Sequence, residues 1–271
     1  MNNQPIGFLD SGVGGLTVVR AALKQLPNET VYYIGDTARC PYGPRPIEQI
    51  KEFTWDMVRF LLKKQVKMIV IACNTATAVA LEDIKNELDI PVVGVIVPGS
   101  RAALRETTNG KIGVIGTVGT INSEEYTKAI KRKSLNVDVL GLACPKFVPI
   151  VESREYESDI AKKVVKETLS FFDQKNIDTL VMGCTHYPLL RPFIRETMGK
   201  SVKLIDSGAE TVNEVSVLLD YYDIAAKPSH TEKEHRFFTT GSVRNFEMIS
   251  SDWLPLNDIN VQQARIADIG D

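Results

Sequence analysis

Short apolar runs alternate along the chain with longer stretches whose apolar residues recur every three or four positions. "IGFLD" (6–10) precedes a helical pattern over 14–26, and "TVYYIGD" (30–36) precedes one over 46–65. "MIVIACN" (68–74) precedes one over 76–88, and "VVGVIV" (92–97) reads as the next strand. Alternation of this kind predicts parallel sheets flanked by crossover helices. The pattern then begins again, with "IGVIGT" (112–117), "VDVLGLAC" (137–144), a helical stretch over 156–174, "TLVMGCT" (179–185) and "VKLIDSG" (202–208).

The restart keeps its punctuation, as an internal duplication should. Asp10 precedes Cys40 by 30 residues and Gly116 precedes Cys144 by 28, and proline follows both cysteines. The interval from Asp10 to Cys73 is 63 residues and from Gly116 to Cys184 it is 68. A further strand returns near Val95 in one half and Ile205 in the other. The expected fold is therefore α/β: two similar α/β domains with mainly parallel sheets, related by a pseudo-two-fold axis, with the active site in the interdomain cleft. Residues 1–96 with 208–271 would form the first domain and 97–207 the second. "AETVNEVSVLLDYYD" (209–223) and "RFFTTG" (236–241) have no counterpart in the repeat and should return to the first unit, whereas 254–271 reads as a terminal extension with partial helix.

Composition narrows the function classes. The 271 residues are 44% hydrophobic and 24% charged, enough apolar material for one large core or two small ones. Net charge is −2 and the basic residues are scattered, which disfavours nucleic acid as a partner; the cluster Lys128, Lys131, Arg132, Lys133 in "KAIKRKS" reads as a solvated helix face. No apolar run approaches the roughly 20 residues that span a bilayer, and no export signal is legible, so the expectation is a cytoplasmic protein without a membrane partner. The four cysteines lie far apart without a CxxC pair and should be free thiols.

Two of those thiols stand where strands give way to small polar residues: Cys73 before "NTATA", Cys184 before "THYP". A thiol at a helix N-terminus gains from the dipole and the unsatisfied N–H groups, so its pKa is expected to fall toward neutrality. After Cys184, Pro188 suits a helix start, but Pro192 would disrupt a helix already under way. A single buried cysteine is usually a packing residue. A thiol repeated at matched strand ends, each followed by hydrogen-bonding side chains, points to chemistry instead. Two thiols across a cleft suit racemisation, in which a proton leaves one face of a carbon and another arrives at the opposite face. Asp10, Asp36, Glu152 and His186 lie at or beyond strand ends, where they could tune and orient the thiols.

These motifs carry a resemblance. "FLDSGVGGLTV" (8–18), "YIGDTARCPYG" (33–43), "IACNTATA" (71–78), "GCTHYPLL" (183–190) and "IDSGAE" (205–210) together resemble the glutamate racemase family, of the cofactor-independent aspartate/glutamate racemase superfamily. The resemblance implies that Cys73 takes the α-proton of D-glutamate and Cys184 that of L-glutamate, with Asp10 assisting the first and His186 the second. Asp36 and Glu152 match the family's supporting acids. Ser11, Asn74, Thr75 and Thr185 would hold the α-amino and α-carboxylate groups, Tyr42, Gly43, Thr117 and Thr120 would receive the side-chain carboxylate, and Asp10, Pro41 and His186 would complete the substrate-binding set. It further implies no cofactor and no metal, two α/β domains, glutamate as small-molecule partner, a homodimer, and a cytoplasmic role supplying D-glutamate for peptidoglycan.

Other readings compete. "DSGVGG" hints at a nucleotide loop, but Thr17 stands where a third glycine of GxGxxG belongs, and no GK[ST] follows. Zinc held by Cys73, Cys184 and His186 is a second reading; the other histidines, His230 and His235, lie in the polar "SHTEKEHRF" and read as solvated. A racemase for aspartate or another small acidic amino acid is the nearest alternative, and a non-catalytic amino-acid-binding module the most distant. The last would leave the duplicated thiols without a purpose.

Overall fold

The computed structural model describes residues 2–228 and 233–265. Four strands open the chain: β1 (Ile6–Asp10), β2 (Val31–Gly35), β3 (Met68–Ile71) and β4 (Val92–Gly94). Between them run α1 (Leu16–Gln25), α2 (Ile47–Lys63) and α3 (Asn74–Glu87), and α4 (Ile96–Glu106) follows β4. A second set of strands comprises β5 (Lys111–Gly116), β6 (Asp138–Ala143), β7 (Thr179–Gly183) and β8 (Lys203–Asp206). Its helices are α5 (Val118–Asn122), α6 (Glu125–Lys131), α7 (Phe147–Glu152), α8 (Asp159–Leu169) and α9 (Arg191–Met198). The chain continues through α10 (Ser207–Tyr221), β9 (Arg236–Thr239), α11 (Val243–Trp253) and β10 (Val261–Gln263).

The strands form two sheets, ordered β10-β9-β2-β1-β3-β4 and β6-β5-β7-β8, and every pairing is parallel. Each of β1 to β4 has its counterpart in β5 to β8 at the same place in the order, so the spacing repeat is a repeat of topology. Every residue of β1, β3 and β7 is buried, as in central parallel strands covered on both faces. The edge strand β6 has no fully buried position. Helix α2 shows the complementary pattern, burying Ile50, Thr54, Met57, Val58 and Leu61 along one face.

Three local expectations are corrected. "VVGVIV" is a strand only to Gly94: Pro98 sits in the first turn of α4, where its missing N–H has no intrahelical acceptor to lose. The helix expected over 156–174 is α8, which begins where the Ser158 side chain accepts from the Ala161 N–H and ends in a 3-10 turn at Ser170–Phe172. The partial helix expected in 254–271 is replaced, over the described part, by β10, which extends the first sheet beside β9. Pairing with a remote strand decided that segment, and local periodicity could not show it.

Candidate active site

In both sheets the crossovers diverge at the central strand, β1 in one and β5 in the other. The crevice between the carboxyl ends of that strand and its neighbour is where open α/β sheets bind ligands. Asp10 and Ser11 leave β1 there and Cys73 follows β3; Thr117 follows β5 and Cys184 follows β7. Both thiols line one cavity of about 20 Å3, room for about one water molecule. Ser11, Asn74, Thr75, Thr117, Thr185 and His186 share its wall, with Pro41, Tyr42 and Gly43.

Cys73 is the N-cap of α3, and its sulfur accepts from the Ala76 N–H at 3.5 Å and lies 3.6 Å from Ser11 Oγ. The pKa nevertheless moves opposite to the sequence expectation. Burial pushes the thiol up to about 12, the Asp10 carboxylate adds to the rise, and the Ala76 amide and Ser11 hydroxyl act the other way. A helix terminus contributes about 1–2 kcal/mol at best, whereas full burial can shift a pKa by roughly 3–5 units. Desolvation therefore wins. Asp10 is itself fully buried, accepting from the Gly12 N–H at 2.9 Å and the Thr185 hydroxyl at 3.4 Å. Its pKa is raised by burial and drawn back by the nearby His186.

The Cys184 side is built differently. No regular helix follows directly; a 3-10 turn at Tyr187–Leu190 leads into α9, where Pro192 occupies the first turn and so disrupts nothing. The break leaves His186 beside its neighbour's sulfur, with Nδ1 3.7 Å from Cys184 Sγ and Nε2 3.2 Å from Glu152 Oε1. Burial alone would lower the His186 pKa, but Cys184 and Glu152 more than offset it and raise it to about 10. Glu152 answers in kind: burial opposes its charge, yet His186 holds its carboxyl below the ordinary range.

Four of the expected residues stand behind the cavity wall. Asp10 backs Cys73, and Glu152 backs His186. Thr120 is buried, its hydroxyl 3.2 Å from that of Thr75 and 3.1 Å from that of Thr117, so three hydroxyls join the two halves. Asp36, expected among the catalytic acids, does not line the cavity: its carboxylate accepts from Tyr42 at 2.6 Å, Arg39 at 2.7 Å and Thr240 at 2.8 Å. Those bonds occupy it and fix the Tyr42 ring in the wall.

The sequence reading missed Cys40 and Val148 as wall residues. Cys40 was visible as a repeat anchor; its thiol donates to Glu152 Oε1 at 3.4 Å. The glycines of "DSGVGG" serve packing: a Cβ on Gly14 would lie 2.2 Å from Thr185 Oγ1 and 2.5 Å from the His186 ring. This loop makes room for the other half of the molecule. Among the described residues no group of three or more His, Cys, Asp and Glu is arranged to hold a metal ion. His235, read as solvated, is partly buried and accepts from the Val31 N–H at 3.1 Å, while His230 lies outside the described residues.

Comparison with known proteins agrees with this geometry. A family model described as Asp/Glu/hydantoin racemase matches residues 14–215. Glutamate racemase from Enterococcus faecalis is 62% identical over 98% of this chain and 97% of its own length. Among solved structures, a glutamate racemase isoform from Bacillus anthracis aligns with a TM-score of 0.94 at 46% identity, covering 97% of this chain and 98% of that one. Glutamate racemase from Francisella tularensis in complex with D-glutamate aligns at 0.89 and 36% identity, covering 98% and 99%. With both matched thiols in one cavity and likeness along nearly its whole length, the chain belongs to the Asp/Glu/hydantoin racemase family.

Proposed function

We propose that the protein interconverts L- and D-glutamate by two-base proton transfer, supplying D-glutamate for peptidoglycan. One observation carries this reading: Cys73 and Cys184, from matched strand ends of the two halves, face the same cavity. In the L-to-D direction the Cys184 thiolate takes the α-proton, the electron pair is left on the carbon and delocalised into the adjacent carboxylate, and the Cys73 thiol gives its proton to the other face. Cys184 ends as thiol and Cys73 as thiolate; the D-to-L reaction runs the same transfers in reverse.

The supporting groups fit that exchange. Protonated His186 offsets negative charge on the Cys184 side, and Glu152 keeps the imidazole oriented and charged. On the Cys73 side, the Ala76 N–H and Ser11 hydroxyl meet developing thiolate, and Asp10 orients the loop that carries Ser11. The buried Asn74 amide has an Nδ2 without a partner and so a donor free for a substrate oxygen. Asp36 acts as a positioning residue through Tyr42.

A cavity with room for one water cannot admit glutamate, so the halves must separate and close again around it. We place the division at 1–96 with 208–271 against 97–207, since the chain passes between the sheets at the β4–α4 and β8–α10 junctions. We also propose a homodimer located in the cytoplasm, on the family resemblance; among the described residues no helix is long and apolar enough to cross a membrane.

The deciding experiment is incubation with L-glutamate in D2O without pyridoxal phosphate, following optical rotation and α-deuterium, with L-aspartate in parallel. Solvent deuterium should appear mainly in the D-product. Deuterium accumulating in unreacted L-glutamate, or faster turnover of aspartate, would refute the assignment.

A further inference from the structure

Tyr126 belongs to α6 in the second half, yet its hydroxyl reaches across to Asn74, the residue after Cys73. It donates to Asn74 Oδ1 at 2.7 Å, and both side chains are 3% exposed. The other end of that amide, Nδ2, is buried without a hydrogen-bond partner, and Asn74 lines the cavity between the thiols. Buried donors are seldom left unpaired, so one at a cavity wall marks a place where a ligand acceptor belongs.

The two ends of a carboxamide are almost the same size, so shape alone does not decide which faces the ligand; the hydrogen bonds do. We propose that Tyr126 is a positioning residue that sets the polarity of Asn74: by holding Oδ1, it turns Nδ2 toward the cavity, where it selects a carboxylate oxygen of the substrate. This rests on the glutamate reading above. Reversed, the amide would present Oδ1, which repels a carboxylate and attracts an ammonium group instead.

The surroundings hold the phenol in place. The Ser207 hydroxyl, near the phenol, donates to the Met182 carbonyl at 3.2 Å and so does not compete for Asn74 Oδ1. A Cβ on Gly183 would lie 3.0 Å from Tyr126 Cε2, and one on Gly99 would lie 3.4 Å from its hydroxyl and 2.8 Å from Ser207 Cβ. Glycine at 183 therefore lets the ring lie against the strand end that carries Cys184. One side chain thus braces the residue after the first thiol and the residue before the second.

Tyr126→Phe removes the hydroxyl and keeps the ring. A donor bond made equally in ground and transition states is lost as uniform binding, so KM for both enantiomers should rise about five- to tenfold with kcat within about twofold. In an Asn74→Asp background the donor end is already gone, and Tyr126→Phe should add little to KM. An unchanged KM in an active Tyr126→Phe enzyme, or fully additive losses in the double variant, would overturn the proposal. Should Tyr126→Phe not fold, 3-fluorotyrosine at position 126 carries the test: it keeps the ring and the hydroxyl but is a stronger donor, and KM should fall about twofold against no change if Tyr126 only packs. Wild type assayed alongside separates the two levels, since failure to turn over glutamate there sinks the functional reading itself.

Discussion

The two thiols occupy equivalent positions in equivalent sheets, yet their surroundings are opposites. Cys73 caps a regular helix over a buried carboxylate, Asp10, that works against its ionisation. Cys184 precedes a broken helix and touches an imidazole whose charge is sustained by Glu152. Duplication supplied the geometry, and divergence at the following two or three residues supplied the chemistry. The groups around the two sulfurs differ in charge: a buried carboxylate stands behind Cys73, and an imidazole held by Glu152 stands beside Cys184.

That asymmetry cannot show itself in relative catalytic efficiency. The enantiomers are equally stable in water, so kcat/KM must be equal in the two directions for wild type and every variant. The strongest way to break the comparison is to delete either base: Cys73→Ala and Cys184→Ala should each cost on the order of 10³-fold or more in racemisation. Deuterium release from α-labelled substrates then tells which half-reaction survives, and equal exchange from both enantiomers in either variant would contradict separate roles.

Less severe variants sharpen the contrast. His186→Asn should reduce kcat/KM by about 10²-fold in both directions, while the primary isotope effect grows for α-deuterated L-glutamate and shrinks for the D-isomer. Asp10→Asn should shift the pair of isotope effects the opposite way. Parallel shifts in both variants would mean that the halves are chemically interchangeable. Gly14→Ala drives a methyl group into Thr185 and His186 across the halves and should lower unfolding free energy by about 1–3 kcal/mol, measured by denaturant titration.

The smallest effect is a pH dependence of stability. His186 has a folded pKa of about 10 against an ordinary 6.5, so the folded state holds the extra proton and unfolding releases it. Its contribution is fully present below pH 6.5 and declines as pH rises toward about 10. Cys73 adds a decline of the same sign only above its ordinary value of 9.0, so between 6.5 and 9.0 it does not add to the His186 slope. Melting temperature should fall with pH across that interval less steeply in His186→Asn than in wild type.

Much of the site was legible because it lies at strand ends, where apolar runs stop abruptly and polar residues follow. Cys73, Cys184, Asn74, Thr75, Thr185 and His186 were all visible in this way. Cys40 and Val148 were not, because a cavity wall is set by which loops meet; Tyr126 was hidden for the same reason, lying on a helix remote in sequence from the residue it holds. The thiol pKa was misjudged because the dipole is a local feature, whereas desolvation depends on everything packed around the sulfur.

By itself the sequence determined the strand–helix alternation, its duplication and the pair of thiols, since periodicity and spacing are properties of one dimension. Only the tertiary structure decided that β10 extends the first sheet beside β9, that Asp36 serves Tyr42 and not the substrate, and that the two sulfurs share a cavity. Long-range pairing and burial depend on the whole set of neighbours, and no local stretch of the chain encodes that set.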